Sequence, residues 1–260
     1  MATERSEKVL EFAGGRPSQH DALKSDPETT STYHGYIPKD QTLPFHSESR
    51  GELIPGLTYL PDFLSQAEHD LILNEITSGD WDGDNQGRRT KQFGMGFHWR
   101  GPKDSTLYRI DEPGRDVCPP TVCVGPLERL SALGLGPAPS SFRQLIVNEY
   151  CGGQGIKPHI DRRHCFGEYV VGISLLCPSV MDFRHPVTGE VRAILLEPRS
   201  VLVLSGEARH EWQHAIGFDS SHVYRGNTIL RERRISLTFR QIKDTGPGAA
   251  GTEDAASTSE

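Results

Sequence analysis

A histidine and an aspartate two residues apart, His159-x-Asp161, close a glycine-rich stretch that begins at Asn148, and another histidine, His214, lies far downstream at the end of Glu211-Trp-Gln-His214. Side chains alternate along an extended chain, so His159 and Asp161 share a face if the strand continues through them. Two adjacent corners of one metal site would then be filled, with His214 supplying the third. Two imidazoles and one carboxylate on one side of a cation leave three positions open, the ligand set of non-haem Fe(II) chemistry. Zinc is more often closed by four protein ligands, or by three and a water. A His-x-Asp pair alone is also a common surface turn, and it needs a second signal.

That signal is the run Arg233-Arg234-Ile-Ser-Leu-Thr-Phe-Arg240. At period two, Arg234, Ser236, Thr238 and Arg240 take one strand face, and Ile235, Leu237 and Phe239 take the other. The bland alternative is a solvated outer row of arginines, which would leave the apolar half facing into the barrel. If a helix or second sheet covers the apolar half, the polar row faces inward. Two enclosed arginines then require a compensating anion. A dicarboxylate beside the metal fits, because the guanidinium fork matches a carboxylate.

The positioning elements are mostly short strands. From Ser141 onward, strands are expected over 141–150, 169–176, 179–184, 191–197, 200–204 and 234–242, with turn signals such as Pro186-Val-Thr-Gly189 between them. This pattern specifies a mainly β chain with flanking helices, a double-stranded β-helix (jelly roll) core over about 141–243. Leu57 to Leu60 reads as a further strand. Ser65-x-x-Glu68 is a capping box that opens a helix over 66–77, with Ala67, Leu71, Ile72, Glu75 and Ile76 on one side and Gly79 as its stop. A second helix is expected over 122–133, with Leu127, Leu130 and Leu133 inward and Pro126 in its first turn. Both helices would brace the outside of the barrel.

Residues 80–87 read as a turn-rich loop, followed by a segment that mixes cations, rings and glycines: Arg88, Arg89, Lys91, Phe93, Phe97, His98 and Trp99. Cations hold phosphates and ring faces stack bases. A solvated edge hairpin has the same composition. Residues 1–50 and 244–260 are polar and aperiodic, expected to be a disordered or loosely attached arm and a disordered tail around a domain at 51–243. A net charge of −7 over 260 residues excludes a global basic field. Five irregularly spaced cysteines, and no apolar run of spanning length, point to a soluble intracellular protein with reduced thiols and no membrane segment. Cys118 and Cys123 lack the second pair a structural zinc site would need.

Asn148-x-Tyr150, His159-x-Asp161, His214 and Arg234-x-Ser-x-Thr-x-Arg240, in that order, resemble the AlkB family of Fe(II)/2-oxoglutarate dioxygenases, over about residues 52–243. Tyr150-x-Gly-Gly-Gln-Gly-Ile-x-Pro-His159-Ile-Asp161, Val180-Met-Asp-Phe-Arg-His-Pro186 and Arg89-x-Lys91-x-Phe93-Gly are most similar to its tRNA-modifying branch. The resemblance implies Fe(II), 2-oxoglutarate and O2 as cofactors. It implies His159, Asp161 and His214 as iron ligands and catalytic centre, and Arg234 on the distal carboxylate of 2-oxoglutarate. Asn148, Tyr150, Ser236, Thr238 and Arg240 would complete the cosubstrate site. A lid over about 81–110, with Arg88, Arg89, Lys91 and Phe93, would meet a nucleotide, with Arg163 nearby. Ser236 stands where many members carry Asn, and Arg163 where some base demethylases carry an acid.

The activity this implies is oxidative demethylation of N-alkylated bases in RNA or DNA, with hydroxylation of a modified wobble uridine in tRNA as the alternative. From other classes, a protein-directed oxygenase and a non-catalytic nucleic-acid-binding protein remain open. The expected partner is nucleic acid, for a monomer in the cytoplasm or nucleus. Members of the tRNA-modifying branch usually carry RNA-recognition and methyltransferase domains, which partner proteins would supply here.

Overall fold

The computed structural model describes residues 45–46, 54–85, 87–98 and 107–243. In chain order the elements are β1 (Phe45–His46), β2 (Leu57–Leu60), α1 (Gln66–Thr77), β3 (Gly83–Asn85), β4 (Arg88–Phe97), β5 (Leu107–Arg109) and α2 (Thr121–Ala132). A 3-10 turn (Pro139–Ser141) leads into β6 (Phe142–Tyr150), β7 (Ile156–His159), β8 (Phe166–Leu176), β9 (Ser179–Arg184) and β10 (Val191–Leu196). The chain continues through β11 (Val201–Leu204), α3 (Gly206–His210), β12 (Gln213–Ile216), β13 (Ser221–Tyr224), β14 (Asn227–Leu230) and β15 (Arg234–Ile242).

Among the described residues, the larger sheet runs β1-β2-β11-β8-β15-β6-β4-β3, with β5 joined to β4, and the smaller runs β10-β9-β12-β7. The pairings within both are antiparallel. Together the two sheets make the jelly roll. β15 lies between β6 and β8, with Arg234 opposite Tyr150 and Leu176, and Ser236 opposite Asn148 and Ser174. Directly opposed residues share a face. One face of the larger sheet therefore carries Leu145, Val147, Val171, Ile173, Leu175, Ile235, Leu237 and Phe239. These pack with Ile72 and Ile76 of α1 and Leu127 and Leu130 of α2 in one buried cluster. Each such side chain contributes roughly 1.5–3 kcal/mol on burial, which holds the helices against the sheet. The opposite face, with Arg234, Ser236, Thr238 and Arg240, looks into the barrel. A second apolar cluster, including Tyr59, Val170, Phe183 and Leu202, fills the space between the sheets at one end.

The capping box forms as expected: the Ser65 side chain accepts from the Glu68 N–H at 3.2 Å and the Glu68 carboxylate accepts from the Ser65 N–H at 2.8 Å. The buried stripe of α1 is instead His69, Ile72 and Ile76, while Ala67, Leu71 and Glu75 are exposed. The helix meets the sheet along an i, i+3, i+7 line, rotated from the expected side. In α2, Leu133 is exposed and Cys123, Pro126, Leu127 and Leu130 are buried. Pro126 sits in the interior of that helix, past its first turn. Residues 83–85, expected as loop, add a strand beside β4 because the edge offers unpaired backbone groups. At the end of the segment expected to be a loose arm, Phe45–His46 pair with β2. The rest of that arm, the tail at 244–260 and the lid residues 86 and 99–106 lie outside the described residues.

Candidate active site

β7 and β12 are neighbours, and His159 faces His214 directly across them, with ring centroids 4.4 Å apart. The shared face expected of His159 and Asp161 depended on the strand continuing through both, but β7 ends at His159 and Asp161 sits just beyond it. The two residues converge all the same. One ligand atom from each of His159, Asp161 and His214 lies within 4.8 Å of the others. His159 Nδ1 lies 2.8 Å from the Lys157 carbonyl. A carbonyl only accepts, so Nδ1 carries a proton, and Nε2 is turned toward Asp161, 4.0 Å from its Oδ1.

Asp161 is buried, and Oδ1 accepts from Arg240 Nη2 at 2.8 Å while Oδ2 has no partner. An enclosed carboxylate oxygen without a donor is costly, and a divalent cation at the two imidazoles would satisfy it. Burial works to raise this carboxyl, but the charge of Arg240 and the two imidazoles outweighs it and holds the group ionised, below the usual carboxylate range. Desolvation, then His159, pushes His214 down to about 3, with Arg240 and Arg209 adding and Asp161 opposing, so that ring is neutral near pH 7. The neutral His214 ring and an ionised carboxylate beside the His159 ring suit Fe(II).

The cosubstrate row lies alongside. Arg234 is buried and gives Nη2 to Ser174 Oγ at 2.9 Å, leaving Nε and Nη1 without partners. Its guanidinium sits 5.5 Å from the Tyr150 ring centroid. Arg88 Nε donates to Asn148 Oδ1 at 2.9 Å, and Arg88 lies over the other residue of that motif, the Tyr150 ring, at 5.8 Å. Ser236 and Thr238 are half-buried while the apolar residues between and beside them are fully enclosed, which marks open space on the inward side. Arg240 is committed to Asp161 and to Gln144 Oε1 at 3.2 Å, with its Nε unpaired. Two buried arginines with unused N–H groups beside an unpaired carboxylate oxygen suit a dicarboxylate and a cation.

The residues expected to meet a nucleotide separate by strand parity. β4 pairs with β6, Arg89 opposite Glu149, Lys91 opposite Val147 and Phe93 opposite Leu145. All three therefore take the helix side. Phe93 is part of the core, Lys91 is buried and donates Nζ to the Ser78 carbonyl, and Arg89 pairs with Glu149 over the Trp81 ring. Lys91 and Phe93 are packing residues, contrary to expectation, because period two turns them away from the barrel mouth. Arg88, Thr90 and Gln92 face the site side, and Arg88 serves the Asn148–Tyr150 motif. Arg163 is exposed. Its neighbour Arg162 lies over the Phe97 ring at 5.3 Å.

Several contacts around this segment had no signal in the sequence. Gln92 accepts from the Phe97 N–H at 2.7 Å and donates to the Phe97 carbonyl at 3.3 Å, fixing the end of β4. Phe97 packs on Phe166, with centroids 5.2 Å apart, and His98 stacks on Tyr108 at 4.2 Å. A Cβ at Gly96 would come within 2.1 Å of the Tyr108 ring, so a side chain there would displace that ring. Arg162, Tyr108 and the buried Arg209 carried no periodic or motif signal. Gln92 did, since it shares parity with Arg88.

The family model described as "2OG-Fe(II) oxygenase superfamily" matches residues 56–240. A protein of Arabidopsis thaliana described as "Alkylated DNA repair protein ALKBH8 homolog" is 32% identical over 212 residues, 74% of this chain and 59% of that one. The "tRNA (carboxymethyluridine(34)-5-O)-methyltransferase alkbh8" of Xenopus tropicalis is 32% identical over 213 residues, 74% of this chain and 32% of that one. The chain thus spans about a third to three-fifths of the length of these relatives. The mitochondrial "Alpha-ketoglutarate-dependent dioxygenase alkB homolog 7" of Bos taurus is 31% identical over 197 residues, 74% of this chain and 81% of that one. The solved structure of OsALKBH1 shares the fold at a TM-score of 0.52, with 20% identity, over 73% of this chain and 99% of that one. No described helix is long and apolar enough to cross a membrane. The chain belongs to the AlkB family of the 2-oxoglutarate and Fe(II) oxygenases, a non-haem iron dioxygenase that works with Fe(II), 2-oxoglutarate and O2.

Proposed function

We propose that this dioxygenase oxidises an alkyl group on a nucleobase, with removal of N-alkyl groups from RNA or DNA bases as the leading reaction. The observation that carries the proposal is the exposed His98, stacked on Tyr108, and the partly exposed Arg162, which is seated on the buried Phe97–Phe166 pair. Ring faces and a guanidinium plane suit an unstacked base. The local cations, in a chain of net charge −7, suit a phosphate backbone.

His159, Asp161 and His214 would hold the iron, and Arg234, Asn148 and Tyr150 the 2-oxoglutarate, with Ser236, Thr238 and Arg240 completing that row. When bound, this pair of cofactors with O2 supplies the oxidation, converting one C–H bond to C–OH with release of succinate and CO2. The protein's part is to aim and shield. Arg234 neutralises the distal carboxylate, Arg240 holds Asp161 ionised, and the Phe97–Phe166 wall keeps water from the oxidised carbon. A hydroxylated N-methyl group is a hemiaminal, which loses formaldehyde, whereas a hydroxyl on a carbon substituent stays. The base must leave its stack to reach the site, and single strands and tRNA loops meet that need at least cost.

A second reading, hydroxylation of a modified wobble uridine in tRNA, is favoured by similarity to the carboxymethyluridine-34 proteins. Either reading gives the protein a nucleic-acid partner, RNA or DNA in the first and tRNA in the second, for work in the cytoplasm or nucleus. Nucleoside mass spectrometry of tRNA treated with the reconstituted enzyme separates them. Loss of a methyl group with formaldehyde release supports demethylation. Gain of one oxygen on a uridine supports the second reading, and unchanged nucleosides in every RNA and DNA tested would reject both.

A further inference from the structure

Arg209 lies on α3, a five-residue helix, and is among the largest fully buried side chains of the protein. Its Nη1 donates to the backbone carbonyl of Asp161 at 2.9 Å, while Nε and Nη2 have no partner. The carboxylate of Asp161 is already engaged by Arg240. Among the described residues Arg209 therefore forms no direct ion pair, only longer-range attraction to Asp161 and Glu168, and its unused donors make it a poor packing residue. What it does is grip the peptide of a candidate metal ligand that has left its strand. β7 ends at His159, so no ladder hydrogen bond fixes Asp161.

α3 is itself held at both ends. The Glu168 carboxylate of β8 accepts from the Gly206 N–H at 2.7 Å and engages His210 Nε2 at 2.8 Å. The Ser205 N–H donates to the Gly56 carbonyl at 2.9 Å and the Ala208 N–H to the Pro55 carbonyl at 2.9 Å. A Cβ at Gly56, whose φ is +82°, would meet the Ser205 carbonyl at 2.0 Å, so only glycine allows that approach. A helix too short to be stable alone is thus fixed from two sides, and its one inward cation reaches the Asp161 peptide.

We propose that Glu168, α3 and Arg209 form a strap that positions Asp161 for metal binding, with Arg209 a positioning residue and not a ligand. This rests on the metal site proposed above. Outer groups that orient a ligand typically change metal affinity 10–100-fold when removed.

The test is titration of the full chain with Mn(II) alone, reading the electron paramagnetic resonance signal of the free ion. Arg209→Met, which keeps length without donors, should weaken Mn(II) about tenfold or more, and Arg209→Lys should recover part of it. The thermal midpoint of the metal-free Arg209→Met protein should equal or exceed wild type, since a buried charge is gone. Glu168→Ala breaks the outer anchor at an exposed position and should weaken Mn(II) several-fold; it decides the matter if Arg209→Met does not fold. Wild-type affinity in both variants overturns the strap. A wild-type protein that binds no Mn(II) overturns the metal-site reading itself.

Discussion

Arg240 donates to one carboxylate oxygen of Asp161 at 2.8 Å and leaves the other without a partner. The pair is almost fully enclosed, with side-chain exposures of 5% and 3%. Removing one member of such a pair strands a buried charge. Arg240→Ala should therefore lower unfolding free energy by about 3–5 kcal/mol, checked by urea denaturation of the metal-free protein. Part of that loss should return on adding Mn(II), which would compensate Asp161.

Arg234 should act on the cosubstrate and not on the metal. It has two unpaired nitrogens in an enclosed setting, and a hydrogen bond to a charged group is worth about 1.5–3 kcal/mol. Arg234→Met should weaken 2-oxoglutarate by roughly 10–100-fold, measured by calorimetry with Mn(II) present. Its Mn(II) affinity should remain that of wild type.

Strand parity puts Phe93 of the basic-aromatic segment in the core beneath the helices, while Arg162 lies over Phe97 on the site side. Phe93→Ala should destabilise by about 3–5 kcal/mol, the cost of a large cavity, with an unchanged KM for nucleic acid in the protein that remains folded. Arg162→Ala should raise that KM several-fold and leave the thermal midpoint within a few degrees. The reverse pattern would show that β4 presents its other face.

The cap of α1 contributes to the loss of stability in acid. The Arg129 guanidinium, 2.8 Å from Glu68 Oε1, lowers that carboxyl to about 2 against partial burial, with the Ser65 cap adding. Its folded pKa lies below its ordinary value of 4.5, so the ionised form stabilises the fold. That contribution is complete above about pH 4.5 and drains away as pH falls toward 2. The gap in thermal midpoint between wild type and Glu68→Gln should be widest above pH 5 and close in acid.

The parts legible in the sequence were those with a period or a fixed spacing. The alternation Arg234 to Arg240 gave both faces of β15, and it called for a helix or second sheet over Ile235, Leu237 and Phe239, a cover that α1 and α2 supply. The capping box placed the start of α1 because its two hydrogen bonds are local. Phase was harder. Leu71 and Leu133 fit a helical stripe yet are exposed, since the packing angle on the sheet selects which stripe is buried. Lys91 and Phe93 failed because composition carries no parity: a strand edge and a core strand can share the same residues. Arg209 and Arg162 were invisible, as their partners, the Asp161 carbonyl and the Phe97 ring, lie 48 and 65 positions away and are fixed only by the tertiary fold.

The most direct test is succinate formation by the anaerobically reconstituted Fe(II) protein, given 2-oxoglutarate and O2, with and without a mixed tRNA pool, beside Asp161→Ala. Turnover that rises with tRNA and vanishes in Asp161→Ala is the expected result. Turnover that survives in Asp161→Ala, or that no nucleic acid stimulates while a protein substrate does, would contradict a nucleobase oxygenase built on this triad.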